Sequence, residues 1–161
     1  MKLPNIISTF LNSILILLLI GCGFKIVDKN FLNDYKISEI SVTGDKKISY
    51  LLKNNLRFSN TKNESSKNIN IRVEVVKEKI IKEKNIQNQI TKYQISVKAN
   101  VTFEIPEIKK ENNFIIIEKG EYNVAARQRE TLDSENKLIK NISSKLKSEI
   151  IQNLRLKLND L

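Results

Sequence analysis

The sequence predicts an α+β fold: a two-layer sandwich in which a mixed four-stranded sheet carries two helices on one face, in the order β-α-β-β-β-α, behind a signal-peptide helix. Three observations predict it. Tyr93, Ile95, Val97, Ala99, Val101 and Phe103 alternate with polar residues, which puts six apolar side chains on one face of a strand. Leu138, Ile142, Leu146, Ile150, Leu154 and Leu158 recur every four residues and form one stripe of a helix. A shorter stripe, Ile48, Leu51, Leu52 and Leu56, has the same helical spacing. A sheet with one apolar face and helices with one apolar stripe bury each other by stacking.

Each element follows in chain order. Residues 24–36 are polar and irregular and read as a tether. Ile37, Ile40 and Val42 mark a short strand that stops at the turn signal Thr43-Gly44-Asp45, and Asp45 is placed to cap the helix that carries the first stripe, which Phe58 extends. Residues 59–68 (SNTKNESSKN) are a solvated loop. Ile69, Ile71, Val73 and Val75 alternate strictly, pairing continues raggedly through 77–84, and the chain turns near 85–89. After the strand at 93–103, Pro106 and residues 109–113 break the pattern. Phe114–Ile117 and Tyr122–Ala126 read as the return strand, with a bulge or bend at Gly120. Thr131 or Asp133 then caps the final helix, which no Gly or Pro interrupts.

The N-terminus sets the compartment. Met1-Lys2 precedes a 15-residue stretch, Ile6–Ile20, that is short for a membrane span and suits the apolar region of a signal peptide, forming a helix from about Asn5 to Ile20. Leu19-Ile20-Gly21-Cys22 resembles a lipoprotein cleavage signal, and Cys22 is the only cysteine in the chain. The domain reading is therefore 1–21 signal peptide, 22–36 lipidated tether, 37–161 folded domain. Gly23 after the lipidated Cys22 fits sorting to the outer membrane, where acyl chains would hold the protein on the periplasmic face.

Composition excludes several chemistries. The chain has no His and one Cys, which removes imidazole-based triads, imidazole-ligated zinc and internal disulfides. Its formal charge is +10, and about +9 once Lys2 leaves with the signal peptide. Ile, Lys and Asn dominate at 25, 23 and 20 residues, which reads as base composition and discounts the charge as a nucleic-acid signal. Nor do Tyr93, Phe103, Phe114 and Tyr122 make a stacking platform, because they fall in the core-facing alternation. Glu104, Glu107, Glu111 and Glu118 flank one loop and are the candidates for paired-carboxylate hydrolysis, a weaker reading than solvated charges around a hairpin. No cofactor or metal is expected, and the reading is a protein that binds and positions without covalent chemistry.

The ordered combination of Cys22-Gly23-Phe24, Leu51-Leu52-Lys53-Asn54-Asn55-Leu56, the strand TKYQISVKANVTF, Glu121-Tyr122-Asn123-Val124 and the amphipathic helix from Asp133 to Leu158 resembles the LPS-assembly lipoprotein family (LptE). The resemblance spans nearly the whole mature chain. It implies the same α+β fold, a place inside the lumen of the LptD outer-membrane β-barrel, help in assembling that barrel, and a part in delivering lipopolysaccharide to the outer leaflet. In the family, lipopolysaccharide binding is attributed to basic residues near the tip between the second and third strands and at the start of the final helix. Aligned on Tyr93-Gln94 and Leu138-Ile139, those positions are Ile86 and Leu132 here, and Lys82, Lys84, Arg127 and Arg129 lie close by to supply the charge. The alternative is an outer-membrane lipoprotein of the same fold that scaffolds a different envelope complex.

Overall fold

The computed structural model describes residues 35–57 and 67–159. The signal peptide, Cys22, the tether up to residue 34 and Phe58 lie outside the described residues. Strand β1 (Tyr35–Gly44) leads into helix α1 (Lys46–Arg57), followed by β2 (Lys67–Lys84), β3 (Ile90–Ile105), a 3-10 turn (Pro106–Ile108), β4 (Lys110–Asn123) and helix α2 (Gln128–Asn159). The sheet order is β1-β2-β3-β4, with β1 parallel to β2 and the other two pairings antiparallel. This is the α+β, β-α-β-β-β-α arrangement that the periodicities predict.

The alternation in β3 builds the core. Ile95, Val97, Ala99, Val101, Phe103 and Ile105 are all buried, and the register sets Val73 and Phe114 either side of Val101, and Val75 and Ile116 either side of Ala99. Above this face lie Ile48, Leu52 and Leu56 of α1 and Ile139, Ile142, Leu146, Ile150, Leu154 and Leu158 of α2. The other face, with Arg72, Glu74, Lys98 and Lys119, is open to solvent.

The crossover from β1 to α1 depends on two adjacent residues. Gly44 has φ of 105°, and a Cβ there would lie 1.9 Å from the Val75 carbonyl oxygen. Only glycine fits both constraints. Asp45 then caps α1 as expected: its Oδ1 accepts the Ile48 N–H at 3.0 Å, and its Oδ2 pairs with Lys77 Nζ at 2.9 Å. Burial works against the charged Asp45 carboxylate, but the Ile48 N–H and Lys77 outweigh it and hold its pKa below the usual value.

The structure corrects five boundaries, the first being that strand β2 starts at Lys67, where Lys67 and Asn68 of the expected loop pair with Tyr35 and Lys36. Strand β1 starts at Tyr35, two residues before Ile37. Strand β4 starts at Lys110, because Lys109 takes the left-handed conformation (φ 50°) after the Pro106 turn and returns the chain at once, so Lys110 to Asn113 pair with Ile105 to Thr102. There is no bulge at Gly120, which pairs in register with Ile95. Glycine is needed there by close approach: a Cβ would lie 2.4 Å from Leu138 Cδ1. The strand also ends at Asn123, before Val124–Ala126, and α2 starts at Gln128, so neither Thr131 nor Asp133 is its cap. Thr131 Oγ1 instead accepts the Ala125 N–H at 2.9 Å, closing the turn from inside the helix.

Gly44→Ala is expected to destabilise the domain by about 2 kcal/mol or more, through clash and strain together. Asp45→Ala is expected to cost about 1 kcal/mol, the usual loss of a cap. Urea denaturation of the two variants checks the order.

Candidate functional site

The β2–β3 hairpin outlasts its neighbours. Strand β1 stops at Gly44, opposite Val75, and β4 stops at Asn123, opposite Lys92, so the last residues of the hairpin form a two-stranded tip. Asn85 shapes the turn: its Oδ1 accepts the N–H groups of Gln87 (3.0 Å) and Gln89 (2.9 Å), while its own N–H donates to the Gln89 carbonyl at 2.9 Å. Asn88 adopts φ of 62°, a conformation that asparagine tolerates, and its N–H closes on the Asn85 carbonyl. This places Lys82 and Lys84 at the end of β2, beside the start of β3.

The start of α2 lies at the same end. Val124 N–H donates to the Thr91 carbonyl at 2.8 Å, holding the β4–α2 connection against the beginning of β3. The Ala125–Thr131 bond then sets the turn that carries Arg127 and Arg129, both exposed. The topology thus brings all four sequence-predicted cations to one end of the domain. Each has its own local setting. Lys82 Nζ lies 3.5 Å from Glu121 and 3.4 Å from Gln94 Oε1, Lys84 donates to Asn88 Oδ1 at 3.0 Å, and Arg127 pairs with Glu130 at 3.7 Å. Arg129 has no ion pair among the described residues.

A further lysine fixes this end and has no signal in the sequence. Lys79 Nζ is 2.8 Å from Glu135 Oε2, and the Tyr122 hydroxyl donates to the same oxygen at 2.7 Å. The ammonium also sits 4.3 Å from the centre of the Tyr93 ring, which stacks on Tyr122 at 5.7 Å. Burial opposes the charge on Lys79 and on Glu135, yet their mutual hydrogen bond and those to Tyr122 prevail, so the lysine pKa rises and the glutamate pKa falls. Burial and the Glu135 carboxylate push the Tyr122 hydroxyl up. The cluster ties the hairpin, β4 and α2 together. It was illegible because its members, Lys79, Tyr93, Tyr122 and Glu135, lie on four separate elements. Lys92, paired with Glu83 at 2.6 Å, adds another cation that the sequence reading left out.

Of the four candidate carboxylates only Glu104 and Glu111 are brought together. Glu104 and Glu111 face each other across β3 and β4, with Glu111 3.2 Å from Arg72. Glu107 accepts the Asn68 N–H at 3.0 Å, a bond that lowers its pKa. Glu118 lies opposite Val97, on the helix-bearing side of the sheet. Glu104 borders a shallow depression with Glu39, Ser41, Asn70, Ile71 and Arg72, at the opposite end from the cations. Among the described residues no three carboxylates or other ligating side chains cluster as a metal site.

The lowered Glu135 pKa carries a pH signature. Its contribution to stability is present above the ordinary glutamate value of 4.5 and is lost as pH falls through the depressed folded value. Because Lys79 is partly solvated, the contribution is about 1 kcal/mol after screening. Glu135→Gln should lower the melting temperature at pH 7 and flatten its decline below pH 4.5, measured by thermal denaturation across pH.

No protein-family model matches the sequence, and no curated protein matches it significantly. Solved structures do. The chain is similar to the rare lipoprotein B from Shewanella oneidensis, with a TM-score of 0.59 and 15% identity over 76% of this chain and 98% of that one. It is similar to a minor lipoprotein from Acinetobacter baumannii (TM-score 0.52, 11% identity, 78% and 95% covered) and to lipoprotein B from Nitrosomonas europaea (TM-score 0.50, 13% identity, 85% and 93% covered). The element order, the mixed sheet and the two helices are thus those of the rare lipoprotein B (LptE) fold.

Proposed function

We propose that the chain is an outer-membrane lipoprotein, anchored through acyl chains on Cys22, that plugs and assists assembly of an LptD-type β-barrel for insertion of lipopolysaccharide into the outer leaflet. The observation that carries this reading is the rare lipoprotein B fold, matched over nearly the full length of that chain, behind a lipoprotein-type signal. The surface supports it. A water-filled barrel lumen takes a largely polar occupant, and the open sheet face presents Glu74, Gln94, Ser96, Lys98 and Asn100 around the exposed Val76, Ile115 and Ile117, while α2 turns Lys137, Lys140, Lys145 and Lys147 outward.

The chemistry asked of the chain is binding. Lys82, Lys84, Arg127 and Arg129 meet phosphate groups of lipopolysaccharide, the arginines as planar forks and the lysines as point charges. No bond is made or broken.

A C-terminally tagged full-length protein, purified from detergent-solubilised membranes, is expected to bring down one large β-barrel in near-equal amount and to carry acyl mass on Cys22. A different envelope protein in its place would favour the scaffold reading instead. Lys84→Glu with Arg129→Glu is expected to weaken lipopolysaccharide binding roughly tenfold at low salt, an effect that salt would shrink. Unchanged binding of the double variant would remove these residues from the site.

A further inference from the structure

The same end of the domain is apolar as well as basic. Among the described residues ten large apolar side chains are exposed, and four of them, Ile80, Ile81, Ile86 and Leu132, lie at this end. Ile86, at the apex of the turn, is 103% exposed, with nothing packed around it. Single exposed apolar residues need no explanation, but a group of them ringed by cations does. Ile80 pairs with Gln94 on the open face and Ile81 with Tyr93 on the helix-bearing face, so the hairpin is apolar on both sides just below its tip.

We propose that the β2–β3 tip is a wedge for anionic lipid: Ile86 enters the acyl-chain region while Lys82, Lys84 and Lys92 stay at the phosphates. This rests on the reading of Lys82 and Lys84 as phosphate ligands, adds Lys92 to them, and extends it from headgroup to acyl chain. The turn is built for such a place. Four of its five backbone N–H groups, those of Asn85, Gln87, Asn88 and Gln89, are satisfied within the turn. Among the turn's backbone donors only the Ile86 N–H has no bond within the turn, which lowers the cost of carrying the tip to the headgroup boundary. The same bonds fix Ile86 outward beforehand, so little conformational freedom is lost on insertion. The partner is chosen by complementarity: apolar side chains with a basic collar match the boundary between acyl chains and anionic headgroups.

The chain contains no Trp, so Ile86→Trp gives a single fluorescent reporter at the apex. Tyr50→Trp, at an exposed position on α1, is the control. The full-length acylated protein would be reconstituted in vesicles of phosphatidylcholine with phosphatidylglycerol, with and without bromines on the acyl chains. The lipid anchor keeps every variant near the surface, so only penetration separates them. The expected result is a blue shift and roughly twofold or greater quenching for Ile86→Trp, little for Tyr50→Trp, and loss of the difference in pure phosphatidylcholine or when Lys82 and Lys84 are changed to Glu. Unquenched Trp at 86 in a protein with native circular dichroism would overturn the wedge. So would equal quenching at both positions, or equal quenching without anionic lipid. Recovery of the barrel in the pull-down is a separate readout, so failure here leaves the plug reading standing, and failure there leaves the wedge.

Discussion

Burial of one face of β3 is the constraint on which the rest of the domain depends. Six alternate residues, Ile95 to Ile105, are each no more than 1% exposed, and a strand can reach that state only with strands on both sides and helices above. Antiparallel β2 and β4 supply the flanks, and Val73, Val75, Phe114 and Ile116 widen the apolar surface. The covering stripe of α2, Leu138 to Leu158, then needs one residue in every four to be Leu or Ile over about five and a half turns. Two small residues serve this packing: Gly120 lies under Leu138, and Ser143 is fully buried with its hydroxyl donating to the Ile139 carbonyl at 2.9 Å. Its short side chain fills the space, and the back-bond satisfies the buried hydroxyl.

From this arrangement the charge pattern follows. The first helix packs against β1 and α2, and past Val75 the inward residues of β2 meet charged groups of the two helices rather than their apolar stripes. The helix-facing positions there change from Val73 and Val75 to Lys77 and Lys79, whose ammonium groups find Asp45 and Glu135. Those pairs join elements that the core no longer joins. Lys77 reaches the start of α1, and Lys79 reaches α2 while resting on Tyr93. The apolar core and the ion pairs thus divide β2 between them, the first as far as Val75 and the second beyond it.

This division explains what was legible in the sequence. Period-two alternation marks a strand only where one face is buried and the other wet, so β3 and the first half of β2 could be read directly. Past Val75 the pattern turns into VKEKIIKEK, which has no single apolar face because both faces of the tip are exposed. Strand β4 was read short at its start for a different reason. Lys110, Glu111, Asn112 and Asn113 pair fully with β3, but the inward position there is the half-buried Asn112, so the segment carries no apolar alternation. Gly120 was legible as special but misread, since a glycine required by the helix above looks the same in sequence as one required by a bulge. The beginning of α2 was hidden because Arg127, Gln128, Arg129 and Glu130 precede the first core residue of the stripe, and Thr131, which looks like a cap, bonds back to Ala125 from within the helix. Among the site residues the four cations were visible as charges near a turn. Their assembly at one end was not, because it depends on Val124 docking onto Thr91.

The narrowing of the sheet also decides where a binding surface can arise. In the body of the domain the apolar residues of β2 and β3 either pack beneath a helix or, like Val76, lie on the open face beside Lys98 and Ile117. At the tip two strands stand alone, so Ile86 has no interior to enter, and Ile80 and Ile81, just below it where β2 has become an edge strand, are left half exposed. An isolated pair of strands gains little stability from its own side chains, yet this one is held rigid by Asn85 and anchored below by Lys79. Keeping three isoleucines on such a tip exposes apolar area that the fold does not use. Rigidity and exposed apolar area, with Lys82, Lys84 and Lys92 around them, are features of a surface made for contact, and the contact they suit has both acyl chains and negative charge.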